Sequence, residues 1–153
     1  MVNLLEQMEA NVASYVKYDT AIEKLCNKLI DAFGTTDVWK AVIHTDAPAP
    51  TTDSVLTDLV QISGTNGYTT DGSDITFNST RTGGTVTATG TDVVWTASGG
   101  NLGGSTTGRY VSVYDSTATA KDLWCSWDYG SVFTVATGET LTLDFGANIW
   151  TMT

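Results

Sequence analysis

The residues able to move protons or hold a metal are mostly carboxylates, and they are poorly spaced for either task. His44 is the only histidine, and it closes the apolar run Val38 to Thr45. No serine sits in a Gly-x-Ser-x-Gly turn, so a Ser-His-Asp hydrolase has little support and His44 reads as a packed or edge histidine. Carboxylates are abundant, and paired-acid glycosidase chemistry needs two of them about 5 to 9 Å apart, one with a raised pKa. Asp92, Asp115, Asp122, Asp128 and Asp144 are instead scattered at strand ends and turns, where aspartate bonds its own backbone. Asp71-Gly72-Ser73-Asp74 puts two carboxylates in one loop but lacks the spacing of an EF-hand. Cys26 and Cys125 lie far apart with no Cys-x-x-Cys and no Cys/His cluster, so they read as small apolar side chains rather than zinc ligands. The glycines from Gly99 to Gly108 come without a Walker lysine and are no phosphate cradle. The expectation is no catalytic set, no metal and no cofactor.

The tryptophans are the suggestive group: Trp39, Trp95, Trp124, Trp127 and Trp150. Exposed aromatics on a β-face can stack on sugar rings, whereas buried ones fill the core. In Leu123-Trp-Cys-Ser-Trp127, strict alternation points Leu123, Cys125 and Trp127 one way and Trp124 the other. Trp150 likewise faces away from Ile149. Trp124 and Trp150 are therefore the candidate surface or ligand aromatics.

Two kinds of sequence must position these residues. Residues 1–34 read as a helical arm. Met8, Tyr15, Ile22 and Leu29 recur every seven residues, Leu4, Tyr18, Leu25 and Ala32 form a second row, and Leu5, Val12, Cys26 and Phe33 a third. Such a wide apolar stripe suits a helix lying on a surface. Thr20 and Glu23 have capping-box spacing, favouring two helices that meet near Tyr18 to Thr20, with Gly34 as the closing glycine. Leu4, Leu5, Met8, Val12, Tyr15, Tyr18 and Ile22 are the candidate interface residues of this arm.

From Val38 the period changes to two, and residues 35–153 read as one β-domain. Asp46 to Thr52 holds both prolines and must be a loop, and Val55 to Ile62 fits a short helix or a strand. Short strands follow at Ile75 to Phe77, Thr85 to Thr89, Val93 to Ala97, Tyr110 to Tyr114, Leu123 to Trp127, Val132 to Val135, Thr140 to Phe145 and Ile149 to Met152, punctuated by glycines. Ser98 to Gly108 is low in side-chain volume and reads as an exposed loop. The fold class is mainly β, an antiparallel β-sandwich of jelly-roll type preceded by an α-helical segment.

Charge narrows the partners. The formal net charge is −10, and the β-part carries only Lys40, Arg81, Arg109 and Lys121 as cations. Such a surface repels phosphate backbones and anionic lipid, so neither nucleic acid nor membrane is an expected partner. The start, Met-Val-Asn-Leu-Leu-Glu-Gln, lacks the basic and apolar stretches of a secretory leader, and no run approaches a membrane span. Synthesis as a soluble chain in a host cytoplasm is the expectation.

Several motifs occur in a fixed order: Lys28 to Phe33 before Val38 to Ile43, Ile62-Ser63-Gly64 before Gly67-Tyr68-Thr69, Asp92-Val-Val-Trp95-Thr96, Arg109-Tyr-Val-Ser-Val-Tyr-Asp115, Leu123-Trp124, Gly138-Glu-Thr-Leu141 and Ile149-Trp-Thr-Met152. From about residue 22 onward this order resembles a broad group of small structural proteins of tailed bacteriophages. The resemblance implies a β-sandwich virion component with Tyr68, Trp95, Arg109, Tyr110 and Asp115 as framework positions, and a carboxylate partner for Arg109. Proteins of this group sit on heads and at necks, tails and fibres; with the apolar arm and no catalytic set, the expectation is a non-enzymatic capsid decoration (cement) protein that binds and stabilises the head shell. Its expected partners are its own copies, as a homo-oligomer and foremost a trimer, and the major capsid protein or other virion proteins. The alternatives are a tail, neck or fibre component, or a carbohydrate-binding β-sandwich module contacting host-surface glycans.

Overall fold

A computed structural model describes residues 14–30 and 36–152. Along the chain run β1 (Ser14–Lys17), α1 (Asp19–Cys26), β2 (Trp39–His44), a single 3-10 turn at Leu56–Asp58, β3 (Ser73–Ile75), β4 (Phe77–Thr82), β5 (Thr85–Gly90), β6 (Val93–Thr96), β7 (Gly108–Asp115), β8 (Leu123–Phe133), β9 (Thr140–Leu143) and β10 (Trp150–Met152). The protein is mainly β. Its largest sheet has the order β1-β8-β7-β2-β3, and two smaller sheets pair β10-β5-β4 and β6-β9. Every strand pair is antiparallel.

The first departure from the sequence reading falls on the arm. Residues 14–17 form not a helix but an edge strand, with Tyr15 opposite Trp127 and Lys17 opposite Cys125. The tertiary cause is the edge of β8, which offers four consecutive partners. Tyr15 and Val16 suit a pleated surface, and a lone helix of this length is marginal in water. The helix shrinks to α1. Tyr18 is its N-cap in extended conformation, and Thr20 does not cap it. Lys28, at φ 57°, ends it in the left-handed conformation that usually falls to glycine. Tyr18, Ala21 and Ile30 belong to the main hydrophobic core, so residues 14–30 are built into the body rather than standing apart from it. Lys24 fixes α1 further by an ion pair with Asp122 and a bond to the Ser54 carbonyl.

Cross-strand partners share a face. Trp39, Ala41 and Ile43 therefore stand with Asp115, Val113 and Val111, while Val42 and His44 stand with Ser112 and Tyr110. The first face is aromatic and meets the smaller sheets. The Trp39 ring lies 4.9 Å from Phe77, Trp127 5.7 Å from Phe145 and Trp124 5.4 Å from Trp150. Within the β6-β9 pair the expected alternation holds: Leu141, Leu143, Val93 and Trp95 are buried, with Thr140, Val94 and Thr96 exposed.

Alternation fails in β8. Val113 pairs with Cys125 and Tyr114 with Leu123, so Trp124 is an extra residue, a bulge. The bulge brings the Trp124 ring to 5.8 Å from Trp39 and leaves the residue only 2% exposed. Trp124 is thus a core side chain, against the expectation of a surface aromatic. A second irregularity lies between Gly108 and Tyr110, and β8 runs unbroken from Leu123 to Phe133, so the strand expected at Leu123 to Trp127 and the start of the one expected at Val132 to Val135 are a single strand.

The loops are less free than their composition promised. In Ser98 to Gly108, Leu102 is buried and donates its N–H to Val135, and Asn101 accepts from the Asn66 side chain. This loop orders against its own body. Residues 60–62 pair antiparallel with the end of β2, with Thr45 N–H bonded to the Val60 carbonyl and Ile62 N–H to that of Ile43. Gly72 passes so close to β2 that a Cβ would meet the Ala41 carbonyl oxygen at 1.8 Å, at a φ of 75° that also favours glycine. No helix among the described residues is long and apolar enough to cross a membrane.

Candidate functional site

The strand pairing assembles one constellation that the sequence did not reveal. β2 carries His44 and β7 carries Ser112, one register step apart on the same face. His44 Nε2 is 2.9 Å from Ser112 Oγ, and His44 Nδ1 is 3.3 Å from Asp46 Oδ1. A serine, a histidine and an aspartate in this order are the parts of an acyl-transfer triad. The Tyr18 hydroxyl lies 3.0 Å from the same Ser112 Oγ, and the Tyr110 ring stacks on His44 at 5.4 Å.

The chemistry of this cluster is blocked by its packing. His44, Ser112 and Tyr18 are each 0% exposed. An acyl carbonyl would need the space beside Ser112 Oγ that the Tyr18 hydroxyl fills. Burial pushes the His44 pKa below its ordinary 6.5 against the pull of Asp46, and pushes Tyr18 up to about 12. A neutral imidazole satisfies the whole chain: Tyr18 donates to Ser112, Ser112 donates to Nε2, and Nδ1–H donates to Asp46. Asp46 Oδ1 also accepts the Val60 N–H at 2.8 Å, which pins the loop closing this face. The cluster is a closed polar tie between the entry to α1, two strands and a loop. The reading of His44 as a packed residue agrees with this burial. No sequence motif pointed to Ser112, because nothing short of strand register brings it to His44.

The other carboxylates are engaged individually. Asp71 pairs with Lys121 at 2.7 Å and accepts from the Gln61 amide, and Asp74 pairs with Lys40 at 3.0 Å. The two acids of the loop thus meet separate lysines, and no cluster of three or more candidate metal ligands occurs among the described residues. The expected partner of Arg109 is Asp128, bound through two parallel bonds of 2.9 Å that hold the carboxyl below its usual range. Asp115 is 1% exposed, and burial together with Asp37 pushes its pKa up to about 6, against N–H bonds from Thr117 and Ala118.

The open site lies elsewhere, between the β1 edge of the large sheet and the β10 edge of a small one. It is a groove of about 360 Å³ lined by Tyr15, Lys17, Ile22, Trp124, Ile149 and Trp150. Four of the sequence candidates thus converge on it, from two groups that had no evident relation. Tyr15, 43% exposed, forms a wall with its ring 5.6 Å from Trp127. Ile22 contributes from α1, half-buried Trp150 from β10, and buried Trp124 lies at its base. Tyr18, expected at the same interface, is instead wholly inside the core. Leu4, Leu5, Met8 and Val12 lie outside the described residues. Apart from the Tyr15 hydroxyl, Lys17 and Thr151 the groove is apolar, and among the described residues no carboxylate or histidine lines it.

No protein-family model, curated protein or solved structure matches this chain.

Proposed function

We propose that the protein is a non-enzymatic structural component of a tailed-bacteriophage virion, a decoration (cement) protein that binds the head shell and associates with its own copies, foremost as a trimer. The layering of two small sheets on the aromatic face of the large one supports its reading as a β-sandwich. The observation that carries the functional reading is a contrast of access. His44 and Ser112 are sealed at 0% exposure, while the groove beside the start of β1 is open and largely apolar. Binding, not turnover, suits such a surface. The apolar residues of the leading sequence, Leu4, Leu5, Met8 and Val12, supply matching chemistry. The order of short motifs shared with phage structural proteins directs the reading to a virion.

The test is to quantify the chain in purified particles and to locate it by electron cryomicroscopy. Many copies on the outside of the head are expected. Absence from particles overturns the proposal, and a few copies confined to the tail select the tail or fibre reading. Tyr15 and Trp150 on the groove keep a glycan-binding role testable. Quenching of tryptophan fluorescence by a glycan panel, lost on Trp150→Ala, would favour that alternative.

A further inference from the structure

We infer that the groove between β1 and β10 receives the leading segment, residues 1–13, of a second copy of this chain. The inference rests on the proposed assembly role and names the surface that performs it. β1 pairs with β8 on one side only, so among the described residues its outer edge is open beside the groove. The segment joins β1 at Ser14, one residue before the groove wall at Tyr15. Its apolar residues, Leu4, Leu5, Met8 and Val12, repeat at the spacing by which amphipathic segments anchor in apolar grooves. Its acids, Glu6 and Glu9, complement Lys17, the one charged residue lining the groove.

Chain geometry favours a second copy over the segment's own body. To lie beside β1 of the same chain, the segment must reverse direction just before Ser14. The tightest two-residue reversals next to a strand favour Asn-Gly, Asp-Gly or a glycine-led pair, and residues 1–33 contain no such pair. Thirteen residues reach roughly 20 Å as a helix and roughly 40 Å extended, enough in either form to cross to an adjoining copy. Exchange of this kind repeats one contact in every copy, so it closes a dimer or a ring without any further surface.

The experiment uses the full-length chain in two forms, Leu5→Asp with Met8→Asp in the segment, and Ile22→Asp in the groove. Self-association is measured by sedimentation velocity, with far-UV circular dichroism and thermal melting to confirm that each form is folded. Should Ile22→Asp melt early, Lys17→Glu serves as the groove variant. Each variant should weaken self-association by roughly tenfold to a hundredfold. Mixing the two restores one intact segment–groove contact per mixed pair, so association should return in the mixture alone. A monomeric parent chain, or a mixture that stays dissociated, overturns exchange between copies. An oligomer indifferent to both variants, from a chain still found on particles, overturns this inference and spares the assembly role. Absence from particles defeats the role itself while leaving exchange measurable.

Discussion

The closed cluster around His44 sits on β2 and β7 in the middle of the large sheet, whereas the open groove beside Trp150 lies at its β1 edge. The cluster holds groups that elsewhere perform catalysis, yet the Tyr18 hydroxyl fills the space a substrate would need. The groove is accessible, yet its walls are tyrosine, isoleucine and tryptophan with one lysine for charge. Catalysis requires reactive groups and access in one place. These two sites separate them, and the polar groups of the cluster tie together the entry to α1, two strands and a loop.

The severest break of that comparison comes from removing the side chain the groove shares with the core. Trp124→Ala should cost about 3–5 kcal/mol in urea denaturation, the usual loss for a buried aromatic. Trp150→Ala, half-buried, should cost visibly less and act more on association. Equal losses would mean that the groove is only an extension of the core.

Ser112→Ala comes next. It strands His44 Nε2 and the Tyr18 hydroxyl without solvent, and leaving each buried polar group unpaired costs about 1–3 kcal/mol. Ester hydrolysis by the parent chain that disappears in this variant would reopen the catalytic reading, so both stability and p-nitrophenyl acetate turnover need measuring.

Acid–base titration sharpens the contrast by sign. Asp115 has a folded pKa of about 6, above its ordinary 3.8, so the folded state holds this proton more tightly. Its contribution is greatest below about pH 3.8 and is lost as pH rises through 6. Asp115→Asn should therefore gain about 1–3 kcal/mol at pH 8 and lose that advantage in acid. The amide oxygen keeps the bonds from Thr117 and Ala118. His44 has the opposite sign, since its folded pKa is depressed by burial. Its contribution is complete above 6.5 and is lost as pH falls below that value. In the Asp115→Asn background, melting temperature should thus decline on acidification from pH 7 to 5. A flat profile would mean that His44 is not held neutral.

The smallest effect belongs to the surface. Arg109→Lys breaks the paired bonds to Asp128 while keeping a charge, and at this solvent-exposed site it should lower the melting temperature little or not at all. A large drop would place Arg109 among the groups that hold the fold together.

The mainly β character, the short strands and the alternation of Leu141 and Leu143 with their threonine neighbours were legible because period-two patterning is local. A bulge is not, so Trp124 was read on the wrong face. The helical spacing of Tyr15 was also genuine as a pattern, but a vacant strand edge on β8 outweighed it. The sequence by itself determined an acidic, glycine-punctuated β-protein with an apolar leading segment and few reactive side chains. Tertiary structure alone decided that His44 meets Ser112 and Tyr18, and that Tyr15 and Ile22 share a groove with Trp124 and Trp150. Those meetings depend on strand register and sheet order, which arise from contacts between residues far apart in the chain, 94 positions for Tyr18 and Ser112, and leave no mark in local spacing.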